Sequence, residues 1–317
     1  MEGVMMRGSG SYALSVRKPD GEVETVVRKI KSSSFGQKIG KVPILRGVHR
    51  MGASMVIGMR VMYDSAEMAG FEEDFEPPSK FDLWLEKKLG DKLTKFILAL
   101  SLVIALAFGV FLFMLLPVWL SGFLSPILAG NLWALGIIEG IVRLGIFLIY
   151  LKLISRMKDI RRVYQYHGAE HKTINCYESN LPLTVENVRC HNRLHRRCGT
   201  SFLLFVMIIS MIFFLFVRTD VLWLRVLSRL VFVPFVAGVS YEVIRWAGRS
   251  NSTFVRLLSA PGMALQKLTT AEPDDGQIEV AIKSMRAVLV DEGIEKENAD
   301  DKHIEASGAD SPENGRI

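Results

Sequence analysis

Apolar residues along this chain gather in a few long blocks, with the polar residues between them. Residues 96–120 form an uncharged run of 25, enough to cross a bilayer with some tilt. Residues 132–151 give a second candidate span of 20, interrupted by Glu139 and Arg143. Residues 199–217 give a third, uncharged over 19 positions. Residues 221–244 form the weakest block, because Arg225, Arg229 and Glu242 leave only 230–241 uncharged; a re-entrant or buried helix is the other reading there. Shorter periodic stretches flank these blocks. Residues 12–17 and 22–27 alternate across Lys18-Pro19-Asp20-Gly21, a turn sequence, and predict a β-hairpin. Residues 44–63 place Leu45, Val48, Met51, Met55, Val56, Met59 and Met62 at helical spacing, with Arg46, Arg50 and Arg60 among them. That is the pattern of an amphipathic helix lying on a membrane or on the core. Residues 279–289 predict a further short helix, and the acidic stretch after it predicts disorder.

The pattern therefore predicts a mainly α, polytopic α-helical integral membrane protein with about four spans and a small N-terminal cytoplasmic β-hairpin. Residues 1–40 would hold the hairpin, 41–95 the amphipathic helix and a linker, and 96–268 a transmembrane domain with a cytoplasmic loop at 155–199. Residues 269–290 would form a short cytoplasmic helix and 291–317 an acidic disordered tail. Composition agrees: half the residues are hydrophobic and the mean hydropathy is +0.26, which excludes a disordered chain or a disulfide-stapled secreted module. The net charge of +6 is unevenly spread. The tail carries −6, so the body carries +12. Lys80, Lys87, Lys88, Lys92 and Lys95 precede the first span, and Arg245, Arg249, Arg256 and Lys267 follow the fourth. The loop between spans two and three holds Arg156, Lys158, Arg161, Arg162, Lys172, Arg189, Arg193, Arg196 and Arg197. Between spans one and two there is no Lys or Arg, and between three and four only Arg218. By the positive-inside rule the expected site is the cytoplasmic (inner) membrane, multi-pass, with both termini and the central loop cytoplasmic. A basic body on such a chain implies the lipid bilayer as partner, and no nucleic acid.

The chemistry concentrates in that loop. His167-Gly168-Ala169-Glu170-His171 has the form H-x-x-E-H. On a helix, residues four apart share a face, so His167 and His171 can present two imidazoles to one ion. Glu170 lies beside that face, within reach of a metal-bound water as a general base. Two histidines with a third ligand make an open site with a position left for water. Four of the six histidines and all three cysteines fall between residues 167 and 198, which makes Cys176, Glu178, Cys190, His191, His195 and Cys198 further candidates. Three cysteines in a reducing compartment are thiols or soft ligands and do not make a disulfide framework. Glu242, at the cytoplasmic end of the fourth span, is a candidate third ligand. Within the bilayer, Glu139 is expected to pair with Arg229 or with Arg143, as an ion pair that fixes helix packing.

EGVMMRG, SVRKPDGE, YHGAEHKTINCYE, LTVENVR, HRRCGTSF, AGVSYEVIR, SAPG and LQKLTTAEPDDGQIEVAI together resemble the YqhQ family of bacterial membrane proteins, over nearly the whole chain up to about residue 290. The GGQAV-like stretch that members carry before EGVMMRG is absent. The resemblance implies a membrane-embedded protein, described for the family as a predicted metal-dependent enzyme. It favours Glu170, which the H-x-x-E-H motif makes the expected catalytic base, together with His167, His171, Cys176, His195, Cys198 and Glu242, expected as ligands to a divalent metal, zinc being the expected ion. The expected activity is that of a metal-dependent membrane hydrolase with an unknown substrate. The alternative is a non-catalytic accessory or scaffold protein for protein insertion or envelope assembly, with membrane-protein partners and a structural metal.

Overall fold

Three strands, β1 (Gly3–Arg7), β2 (Ser11–Arg17) and β3 (Val23–Lys29), form an antiparallel meander. The structure is a computed structural model and describes residues 2–30, 36, 39–69, 91–124, 126–128, 131–196, 198–216, 222–247, 252–295 and 304–306. The predicted hairpin is β2–β3: Arg17 faces Val23 across a turn in which Gly21 takes φ 90°, a conformation that costs a residue without Cβ little. β1 is an addition to the expected hairpin, because Val4 and Met6 alternate inward onto the same face as Ala13 and Val27. A short strand β4 (Ile304–Ala306) pairs in parallel with β3 from within the stretch expected to be a disordered tail. The rest of that tail, 296–303 and 307–317, lies outside the described residues, as do the lysines at 80, 87 and 88.

The sheet is covered on both faces, which is why β2 is buried almost end to end. Leu14 and Val16 on one face meet Val61, Met68 and Ala69 around the C-terminal end of α1 (Leu45–Met68). That packing extends the predicted amphipathic helix beyond residue 63. The other face meets the last long helix, which Asp274 and Gln277 start with a reciprocal capping box.

The apolar blocks become α2 (Asp91–Val110), continued through one π turn (Phe111–Leu115) into α3 (Leu116–Gly122), then α4 (Leu132–Ile154), α7 (Gly199–Phe216) and α8 (Leu222–Ala247). Between α4 and α7 lie α5 (Lys158–Glu178) and α6 (Val185–Cys190); after α8 come α9 (Thr253–Thr269) and α10 (Asp275–Asp291), the helix on the sheet. Tyr166, Ala169 and Cys176 of α5 close the other side of α10. Four stretches, Leu100–Gly122, Trp133–Ile154, Gly199–Phe216 and Leu227–Trp246, are long and apolar enough to cross a membrane. The weakest predicted block is thus one continuous helix despite Pro234. Both pairings expected of Glu139 coexist, with Arg143 at 2.6 Å and Arg229 at 2.5 Å. Arg143 also donates to the Phe113 carbonyl, 3.1 Å away in the π turn, so this buried cluster ties three helical segments into one register.

Helix α9 was not expected, since Pro261-Gly262 interrupts its pattern. Those residues do not break it. Gly262 lets α9 lie close on α7, where a Cβ would come within 2.9 Å of the Ser201 side chain.

Candidate metal centre

The H-x-x-E-H stretch lies on α5, so His167 and His171 stack one turn apart with ring centroids 4.4 Å from each other. Each ring is oriented by a backbone carbonyl. His167 Nδ1 is 2.8 Å from the Thr269 oxygen at the end of α9, and His171 Nδ1 is 2.6 Å from the Arg193 oxygen. A carbonyl can only accept, so both Nδ1 atoms carry the proton and both Nε2 atoms present lone pairs. His167 Nε2 lies 3.2 Å from the Cys198 sulfur. One ligand atom each from His167, His171 and Cys198 falls within 4.8 Å of the others.

Cys198 directly precedes α7. The Thr200 backbone N–H donates to its sulfur at 3.3 Å, and the Thr200 hydroxyl lies at 3.1 Å. Burial opposes the thiolate, but the His171 ring in its charged imidazolium form and hydrogen bonds from Thr200 outweigh it and hold the thiol below its ordinary range.

A second set of contacts fixes the loop that carries Cys198. Gln266 of α9, fully buried, grips the backbone of His195 from both sides: its oxygen accepts from the His195 N–H at 2.9 Å and its amide donates to the His195 carbonyl at 2.8 Å. The same amide donates to Ser201 at 2.9 Å. From α5, Lys172 donates to the Arg189 carbonyl at 2.9 Å and Asn175 to the Asn192 carbonyl at 2.6 Å. Gly168 allows α5 to approach residues 269–273, since a Cβ there would sit 2.1 Å from the Ala271 oxygen.

The other candidates fall at graded distances. His195 is buried with its ring 5.9 Å from His171, and its Nε2 faces the Glu178 carboxylate at 3.3 Å. Glu170 is part-buried on the same helix; burial raises its carboxyl above the ordinary range, against a lowering pull from His167. Cys176 does not reach the group. Its side chain belongs to the core beneath the sheet, with the sulfur toward the Leu181 and Pro182 carbonyls, and burial pushes the thiol up. Glu242 does not reach it either, because both of its oxygens are taken by the Arg46 guanidinium, a pair that fastens α1 to α8. Cys190 is exposed and His191 is turned to the Asn187 carbonyl. Residue-type reasoning missed Gln266, Thr269 and Thr200. Their only signal was membership of the LQKLTT and GTSF blocks.

A family model described as "Protein of unknown function (DUF1385)" matches residues 42–291. The "Uncharacterized protein YqhQ" of Bacillus subtilis (strain 168) is 38% identical over 305 residues, covering 96% of this chain and 94% of that protein. No solved structure matches.

Proposed function

This chain belongs to the DUF1385 family, and from that premise we propose that it is a metal-dependent hydrolase of the cytoplasmic membrane, with both termini and the metal centre on the cytoplasmic side. The carrying observation is the pair of carbonyls at Thr269 and Arg193, which fix both histidines in the tautomer that metal ligation needs. Two imidazole nitrogens and a cysteine sulfur make a donor set suited to zinc, and three protein ligands leave a position open. Bound there, the ion would polarise a water or a substrate oxygen. Glu170, three residues after His167 on the same helix, would accept the proton that water loses on attacking the scissile bond and return it to the leaving group. His195 would support the group through the loop it shares with Cys198. The basic loop and the four apolar helices support the orientation.

A scaffold with a structural metal is the second reading. What favours it is that His171 is only 2% exposed, so an ion there would also staple α5 to the loop. One set of variants separates the two. Elemental analysis of purified protein should find a divalent metal, lost largely in His167→Ala, His171→Ala and Cys198→Ala but kept in Cys176→Ser. Unchanged stoichiometry in His167→Ala would remove the site. Glu170→Gln should keep metal and stability while reproducing the phenotype of a null, since removing a general base costs about 10²–10⁴ in rate. Full complementation by a metal-replete Glu170→Gln protein would decide for the scaffold.

A further inference from the structure

We propose that a groove beside the metal centre seats an anionic lipid from the surrounding membrane, its phosphate between Arg196 and Lys267 and its chain along α9. The groove has a volume of about 290 Å³; its floor is Leu194, Ala260, Met263 and Ala264, and its lining includes both cations and no carboxylate. Arg196 and Lys267 are both exposed. The apolar floor does not stop at the groove. Phe254 is 65% and Leu257 74% exposed, and with Ala260 and Ala264 they form one stripe along α9 that ends at Lys267. The opposite side of α9 is spent: Val255 and Leu265 are buried and Gly262 rests on Ser201 at the start of α7. The stripe therefore runs beside a membrane-length helix, where it meets acyl chains.

The two halves of the groove ask for one kind of molecule. An uncharged apolar ligand has no use for two cations, and a soluble phosphate has no use for the floor and the stripe. A lipid with a phosphate head uses both, and basic side chains at a membrane surface favour such heads.

The groove is lined by close neighbours in sequence of the residues that build the metal centre. Leu194 and Arg196 flank His195, the neighbouring Arg193 carbonyl orients His171, and Lys267 stands two residues before the Thr269 carbonyl that orients His167. Resting on the hydrolase reading, this makes a phosphorylated lipid the substrate class.

The test uses the full chain, purified in detergent and stripped of lipid, titrated with dioctanoyl phosphatidic acid, dioctanoyl phosphatidylcholine or inorganic phosphate under native mass spectrometry. Phosphatidic acid should bind well ahead of the other two. Arg196→Ala with Lys267→Ala should weaken it roughly thirtyfold, Arg196→Lys with Lys267→Arg should restore it, and Ala264→Leu should block the floor with both charges in place. Wild-type affinity in the double alanine variant, equal binding of phosphatidylcholine, or inorganic phosphate binding as tightly as phosphatidic acid would each overturn the proposal. Metal content, measured on the same samples, reports separately on the hydrolase reading: loss of lipid binding with metal retained condemns only the groove, and lipid binding without metal only the hydrolase.

Discussion

Glu2 reaches across 164 positions to α5, where its carboxylate accepts from the Tyr166 hydroxyl at 2.8 Å and pairs with Arg162. Burial alone would raise its carboxyl, but Arg162 and Tyr166 outweigh that and lower it below 4.5. The depressed folded value fixes the sign of the pH dependence. Glu2 stabilises the fold fully above about pH 4.5, and its contribution fades as pH falls through the lower folded value. Thermal melts of wild type and Glu2→Gln should differ most near neutral pH and converge in acid; a gap that persists unchanged in acid would refute the linkage. At this scale the sequence revealed residue types at helical spacing, which is enough for His167, His171 and the expected pairings of Glu139. It did not reveal where a side chain is already spent. Glu242 and Cys176 have the right chemistry, but an arginine holds one and the core the other, and those partners lie 196 and a few residues away respectively.

Helix α5 carries the centre, and its position depends on Gly168. A Cβ there would meet the Ala271 oxygen at 2.1 Å, and Ala271 is also held by its own N–H to the Tyr164 carbonyl at 2.8 Å. Alanine is the better helix former by about 1 kcal/mol, but forcing the segment away should cost more, about 1–3 kcal/mol. It would also pull the Thr269 carbonyl from His167. Gly168→Ala should therefore lower both melting temperature and bound metal. Gly145→Ala, on a helix where nothing lies within 4 Å of the new methyl, is the control and should be neutral or mildly stabilising. A stable, metal-replete Gly168→Ala protein would show that the close approach is not needed. Elements with a strong period were legible: the apolar helices, the β2–β3 hairpin and the amphipathic α1. Those whose period is short or broken were not. β1 has only five residues, and Pro261-Gly262 hid α9, whose helical form is secured by contact with α7.

At the scale of the molecule, the polar end is assembled from three distant stretches: the sheet before the first apolar helix, α5 and α6 between the second and third, and α10 after the fourth. No periodicity in a single stretch announces such an assembly, which is why the sequence reads the 155–199 loop and the 269–290 helix as separate pieces. The arrangement nevertheless tests the topology. If the four apolar helices cross a membrane, stretches that pack into one core must share one side of it, so an even number of crossings must separate the first from the second and the second from the third. Two and two satisfy this. A fourth helix that only dipped in and returned would leave α10 across the bilayer from the sheet it covers. In the orientation proposed above, the nine basic residues in the 155–199 loop, against none between the first two apolar helices, make that shared side the cytoplasm. On that topology Ile127, 78% exposed between α3 and α4, would face outward, whereas the exposed native Cys190 at the end of α6 would face the cytoplasm. In intact cells a membrane-impermeant maleimide should label Ile127→Cys, placed in a cysteine-free background, and should label Cys190 only after permeabilisation. Labelling of both from one side would break the parity on which the shared core depends, and the reverse pattern would place the metal centre outside the cell.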